Sequence, residues 1–173
     1  IVLSGGDASA ANGRGGSVEV MSGKGEVASG ALDFSTGSGG NDGSTGSIVL
    51  RTGAANSGNS GNISILTGRG ASNRSGRLLI TTGNGVQKGS GGITLRSGDA
   101  GTESSGSISI STGTSNSGAT GSIVYASGCS TTGTSGSISV VTGGSNQGST
   151  GRVTLETGKT TSNSDTGDIN LFT

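Results

Sequence analysis

The chain lacks most of the residue types on which enzyme active sites depend. Its 173 residues include no His, no Trp, no Pro and a single Cys, with one Tyr and two Phe as the aromatic residues. Without His there is no imidazole base and no His ligand for zinc, and Cys129 has no partner for an internal disulfide. We therefore expect no catalytic residue, no metal site, no cofactor and no small-molecule substrate, and we do not predict an enzyme.

Charge and hydrophobicity exclude two further classes of partner. Ten basic residues balance ten acidic ones, so there is no basic surface for nucleic acid, and the aromatic residues are too few to stack bases. No apolar run approaches the roughly 18 residues of a membrane span. We expect neither a nucleic-acid partner nor a transmembrane segment.

Carboxylates could still serve as a general acid and base, as in glycosidases. The candidates do not recur at one place in the sequence pattern, which indicates scattered solubilising charge. They are Asp33, Asp99, Glu103, Asp165 and Asp168.

Glycine is abundant and is arranged in a repeat. The chain has 39 Gly, but they do not fall at every third position and no Pro accompanies them, which excludes collagen. A phrase of the form Gly-x-(Ile/Val/Leu)-x-(large apolar)-x-(Thr/Ser)-Gly starts at Gly46 and at every fifteenth residue up to Gly151. The seven 15-residue copies over 46–150 are the regular copies. The irregular copies are 16–29 with 14 residues and 30–45 and 151–166 with 16 residues each, and a partial copy lies at each end of the sequence. We number each copy from its first Gly, and use these repeat positions throughout.

Large apolar residues occupy positions 3 and 5, and Thr or Ser occupies position 7 in every copy except at Gly5. A period of two is typical of a β-strand, with these three positions on one face. The predicted structural core comprises Ile48, Leu50, Ile63, Ile65, Leu78, Ile80, Ile93, Leu95, Ile108, Ile110, Ile123, Tyr125, Ile138 and Val140.

Position 8 is always Gly, which fits a corner with positive φ or close backbone packing. The predicted corner glycines are Gly53, Gly68, Gly83, Gly98, Gly113, Gly128 and Gly143. Position 10 is always small in the regular copies, which suggests a thin return segment.

These features together predict an all-β fold, a β-solenoid (β-helix) of about 11 stacked coils of about 15 residues, with a thin core of Ile, Leu and Val plus Thr and Ser. One copy offers too little apolar surface to offset the entropy of ordering it, so coils must stack. We expect one domain over residues 1–173 without a linker. Composition alone is also that of a disordered linker, and the regular Ile-x-Leu pairs argue against that alternative.

The sequence enters the repeat at position 3 with Ile1 and leaves it at position 7 with Thr173. Since solenoids normally carry atypical capping coils, we expect a segment of a longer chain or a filament. Open ends and outward apolar residues predict self-association, end to end or lateral.

Three short motifs match known modification or ion-binding patterns. Asn62-Ile63-Ser64 and Asn73-Arg74-Ser75 match the N-glycosylation triplet, and we favour Asn73 because it falls on the return segment. The stretch 39–43, GGNDG, weakly matches a calcium-binding nonapeptide turn, but it occurs once. Cys129 follows a corner Gly, and we expect it to be exposed. We favour a bystander thiol over the alternative, a crosslink between chains.

Copies such as GSISISTG at 106–113, followed by TSNSGAT at 114–120, resemble the Gly/Ser/Thr-rich repeat proteins of diatoms and related microalgae. The resemblance implies an extracellular or cell-surface location. With no site residues to name, we expect a structural, non-catalytic segment of an extracellular fibre, filament, cell wall or adhesin stalk. The alternatives are an ice-binding or polysaccharide-binding β-solenoid, suggested by the Thr column at position 7, and a viral or phage fibre shaft.

Overall fold

The computed structural model describes residues 1–10, 13–161 and 165–172, and these contain no helix and no strand. The prediction of a β-solenoid, and of an all-β fold, is therefore wrong: the described chain is mostly coil. Thr173, with which the sequence ends at position 7, lies outside the described residues.

No hydrophobic core forms among the described residues, which contradicts the predicted thin core. The fourteen side chains assigned to it are between 45% and 73% exposed. The accessible surface of the chain is 17512 Å², whereas a folded monomer of this mass would expose about 7,500 Å². The chain by itself leaves its apolar side chains in contact with water.

The physical reason lies in what alternation can and cannot specify. A period of two makes a segment such as 63–67 amphipathic, but a strand also needs a neighbouring strand that pairs its N–H and C=O groups. Glycine, serine and threonine surround each apolar pair, and ordering them costs more entropy than two half-covered side chains return. Alternation is therefore present without a sheet.

Regularity survives in the bends of the chain. They fall at positions 11 to 13 of each regular copy and recur every 15 residues, at 56–58, 71–73, 86–88, 101–103, 116–118, 131–133 and 146–148. Among the irregular copies, 26–27 is a bend and 41–42 a turn. The 15-residue repeat of the sequence is therefore also the interval at which the backbone bends.

The chain divides into two compact units, Ile1–Thr81 and Thr82–Thr173. The first contains the irregular early copies, where backbone N–H groups donate to carbonyl oxygens from Gly16 to Gly6 at 2.8 Å and from Gly30 to Gly23 at 2.9 Å. The second contains an ion pair between Arg96 and Asp99. The division falls inside the copy that begins at Gly76.

Each regular copy closes onto the next through a short loop, which we call the repeat loop. The repeat loop runs from position 7 to the first Gly of the following copy, as in 52–61. A Cβ placed on Gly61 would lie 3.5 Å from Cγ2 of Thr52. The same approach recurs along the chain, at Gly76 to Thr67, Gly91 to Thr82, Gly106 to Ser97, Gly121 to Thr112, Gly136 to Ser127 and Gly151 to Thr142. Position 7 is therefore where the loop closes.

The exception at position 7 has a steric explanation. Gly5 takes the place of Thr or Ser, and a Cβ on it would lie 2.1 Å from the carbonyl oxygen of Gly16. In this first loop the two ends meet backbone to backbone, so no side chain fits.

Four described residues are half-buried, namely Gly5, Thr52, Ser97 and Thr157, and every other described residue is exposed. The most covered residues of the described chain thus all lie at position 7.

Candidate interaction surface

The apolar residues form a graded exposed surface. In the regular copies, position 3 side chains are 45% to 62% exposed and position 5 side chains 56% to 73%. The apolar residues at the even positions are 62% to 83% exposed: Val49, Leu66, Leu79, Val124 and Val141. We call all of these residues together the apolar rows. Exposed apolar surface of this extent marks either an interaction site or a segment prone to aggregation.

Glycine at position 10 makes one class of bend. A Cβ on Gly70 would lie 2.2 Å from the carbonyl oxygen of Asn73, and one on Gly85 would lie 2.1 Å from that of Lys88. The irregular copy has the same arrangement at Gly25, with 2.1 Å to the carbonyl oxygen of Ala28. A side chain cannot occupy these sites unless the bend opens, so glycine is required here by close backbone approach.

Serine at position 10 makes a second class of bend. The hydroxyl Oγ of Ser115 accepts a hydrogen bond of 3.0 Å from the N–H of Gly118. Ser130 with Gly133 (3.0 Å) and Ser145 with Gly148 (2.9 Å) repeat this bond. A Cβ on Gly118 would come to 3.4 Å from the Ser115 hydroxyl and one on Gly133 to 3.3 Å from the Ser130 hydroxyl, so a side chain at position 13 would stand in close contact with the serine hydroxyl.

Sequence reasoning noted that position 10 is small but missed its pairing with position 13. The signal was present, because each Ser at position 10 of a regular copy is followed three residues later by Gly, whereas Gly70 and Gly85 are followed by Asn73 and Lys88. Such a hydroxyl-to-backbone bond is an ordinary alternative to regular secondary structure in Ser-rich chains.

The glycines at position 8 differ from the predicted corners. From Gly53 through Gly143, a Cβ at position 8 would meet nothing within 4 Å. No positive φ occurs among the described residues. Glycine at position 8 therefore has neither the positive φ nor the close backbone packing that we expected. The bends of the chain lie at positions 11 to 13 instead.

The groups capable of chemistry are dispersed. Within the described residues, no three or more Cys, Asp or Glu side chains gather to form a cation site, and neither unit encloses a pocket in the part that is described. Asp99 pairs with Arg96, and Asp33, Glu103, Asp165 and Asp168 are exposed. The Cys129 thiol is free and exposed.

The remaining motifs fall at exposed places. In the stretch 39–43, the N–H of Gly43 donates to the carbonyl oxygen of Gly40 at 3.0 Å, which makes a tight turn around Asn41 and Asp42. Asn73 is the last residue of the bend 71–73, and Asn62 follows the Gly that closes a repeat loop; both are exposed.

No protein-family model, characterised protein or solved structure is detectably similar to the chain. Among the described residues, no helix is long and apolar enough to cross a membrane.

Proposed function

We propose that the chain is a non-catalytic structural segment of an extracellular assembly, such as a fibre, filament, cell wall or adhesin stalk. It associates with copies of itself through the apolar rows. The observation that carries the proposal is the exposure of these rows: none of the large apolar side chains described is buried. Complete burial of a fully exposed side chain of this kind contributes about 1.5–3 kcal/mol. The partly covered side chains of the apolar rows each contribute a fraction of that on association, and the repeat offers many equivalent ones.

A second copy is the partner that this surface fits best. The rows repeat at a fixed interval, so any contact that one copy of the phrase makes can be repeated by its neighbours. The net charge is zero, so there is no overall repulsion between identical chains. The absence of His and of a second Cys from the sequence supports the non-catalytic part of the proposal.

The alternatives receive no comparable support. Ice binding and polysaccharide binding by a β-solenoid both depend on a regular sheet face, and the described residues contain no strand. Nothing observed favours a viral fibre shaft over other fibres.

The test is to replace three residues of the apolar rows. Leu66→Asp, Leu79→Asp and Val124→Asp, combined, should raise the concentration at which half of the chain is associated by at least about tenfold, because their burial is lost. Sedimentation velocity over a range of concentrations measures this. Ser64→Asp, Thr81→Asp and Ser122→Asp, combined, add the same charge at polar positions and should have a much smaller effect.

The amide signals of Gly118, Gly133 and Gly148 report whether the bends are intact in each variant. A wild-type chain that stays monomeric at every concentration would refute the proposal. So would a triple variant of the apolar rows that associates as readily as its charge-matched control.

A further inference from the structure

The bend 71–73 contains a sequence motif that the proposed assembly does not use. Asn73, Arg74 and Ser75 form an N-glycosylation triplet, and all three residues are exposed. We infer that Asn73 is a site of N-linked oligosaccharide attachment. The inference builds on the extracellular location in the proposed function, since only a secreted chain meets the transferase.

The repeat explains why the triplet falls at this bend. Position 15 is Ser or Thr in every regular copy, so an Asn at position 13 always has a hydroxyl residue two places later. Asn56, Asn116 and Asn146 lie at position 11, and each has Gly at that place instead. At Asn73 an Asn at position 13 is combined with the Ser at position 15, which completes the N-glycosylation triplet.

Local geometry favours Asn73 over Asn62. The close approach of the Asn73 carbonyl oxygen to Gly70 keeps the chain bent at the acceptor, and Asn in a bend can form the turn that brings its amide near the residue two places on. Asn62 lies in the alternating segment beside Ile63, within the surface that association would cover. A large polar glycan is compatible with the exposed bend at Asn73, whereas at Asn62 it would oppose burial of the apolar rows.

The transfer needs a lipid-pyrophosphate-linked oligosaccharide as the co-reactant. A bond forms between Nδ2 of Asn73 and C1 of the first sugar, while the bond from C1 to the pyrophosphate oxygen breaks. The amide loses one proton to a base, and the lipid pyrophosphate leaves with the electron pair.

The test uses the whole chain behind a secretion signal in a eukaryotic host, with cells and medium both analysed so that retained chain is counted. Enzymatic removal of N-glycans in heavy-oxygen water marks each occupied Asn for mass spectrometry. We expect Asn73 to be occupied in most molecules and Asn62 in few. Asn73→Gln and Ser75→Ala should each abolish the mark at position 73, and Asn62→Gln should leave it unchanged.

An unoccupied Asn73, or an Asn62 occupied as fully as Asn73, would overturn the inference. The proposed assembly is measured separately, on unglycosylated chain from a bacterial host. Failure of one proposal is thereby distinguishable from failure of the other.

Discussion

At the scale of single residues, glycine has two different roles in this chain. At Gly70 it is required, because the Asn73 carbonyl oxygen occupies the space of a Cβ. At Gly68, in the same copy, that space is empty, and glycine there only adds backbone freedom. The sequence shows both as glycine, so the difference had to come from distances between atoms three residues apart.

This difference gives a prediction with a matched control. Gly70→Ala should force the bend 71–73 to open, shifting the amide resonances of residues 71 to 74. Gly68→Ala should leave them in place. Heteronuclear NMR spectra of the two variants make the comparison, and equal shifts in both would show that the close approach does not constrain the bend.

At the scale of the element, the bend is the unit that the sequence specifies best. The 15-residue spacing of the phrase is also the spacing of the bends, so the period could be predicted from sequence. The predicted strands are absent from the described residues, because the alternation at Ile63 and Ile65 indicates only which side chains are apolar. It does not supply the hydrogen-bond partner that a strand requires.

A bend of the serine class can be created in another copy if the pairing of positions 10 and 13 is causal. The copy from 91 to 105 has Ala100 and Glu103 at these positions and no hydroxyl acceptor at position 10. Ala100→Ser with Glu103→Gly should create the serine class of bend. The amide at position 103 should then exchange with solvent up to about fivefold more slowly, as expected for a net hydrogen-bond contribution of about 1 kcal/mol.

Ala100→Ser alone is the control. The Cβ of Glu103 would stand in close contact with the new hydroxyl, as the distances of 3.4 Å from a Cβ on Gly118 to Ser115 Oγ and 3.3 Å from a Cβ on Gly133 to Ser130 Oγ indicate. We expect less protection than in the double variant, measured by hydrogen exchange of the same amide. Equal protection in both would mean that glycine at position 13 is not needed.

At the scale of the whole molecule, the chain has the accessible surface of an incompletely folded protein. Its 17512 Å² is more than twice the area expected of a folded monomer of its size. The apolar residues are evident from the sequence, but the alternation does not determine whether they become buried within one chain, between chains or not at all.

Apolar association makes a specific prediction about salts. Sodium sulfate should lower the concentration at which the chain associates, because sulfate is excluded from protein surfaces and strengthens apolar burial. Sodium chloride at the same ionic strength should have little effect, since zero net charge leaves little repulsion to screen. Light scattering across both salt series checks this, and an equal response to the two would indicate an electrostatic association instead.

The repeat loops have one more consequence, for how such a chain can change in length. Each loop joins residues close together in sequence, such as Thr52 and Gly61, so its contact order is low and its formation does not wait for distant segments. Excising 61–75 would bring Gly76 to the place of Gly61 and leave the same closure to Thr52. Duplicating or deleting copies by recombination therefore keeps every remaining loop intact, and length can evolve one copy at a time.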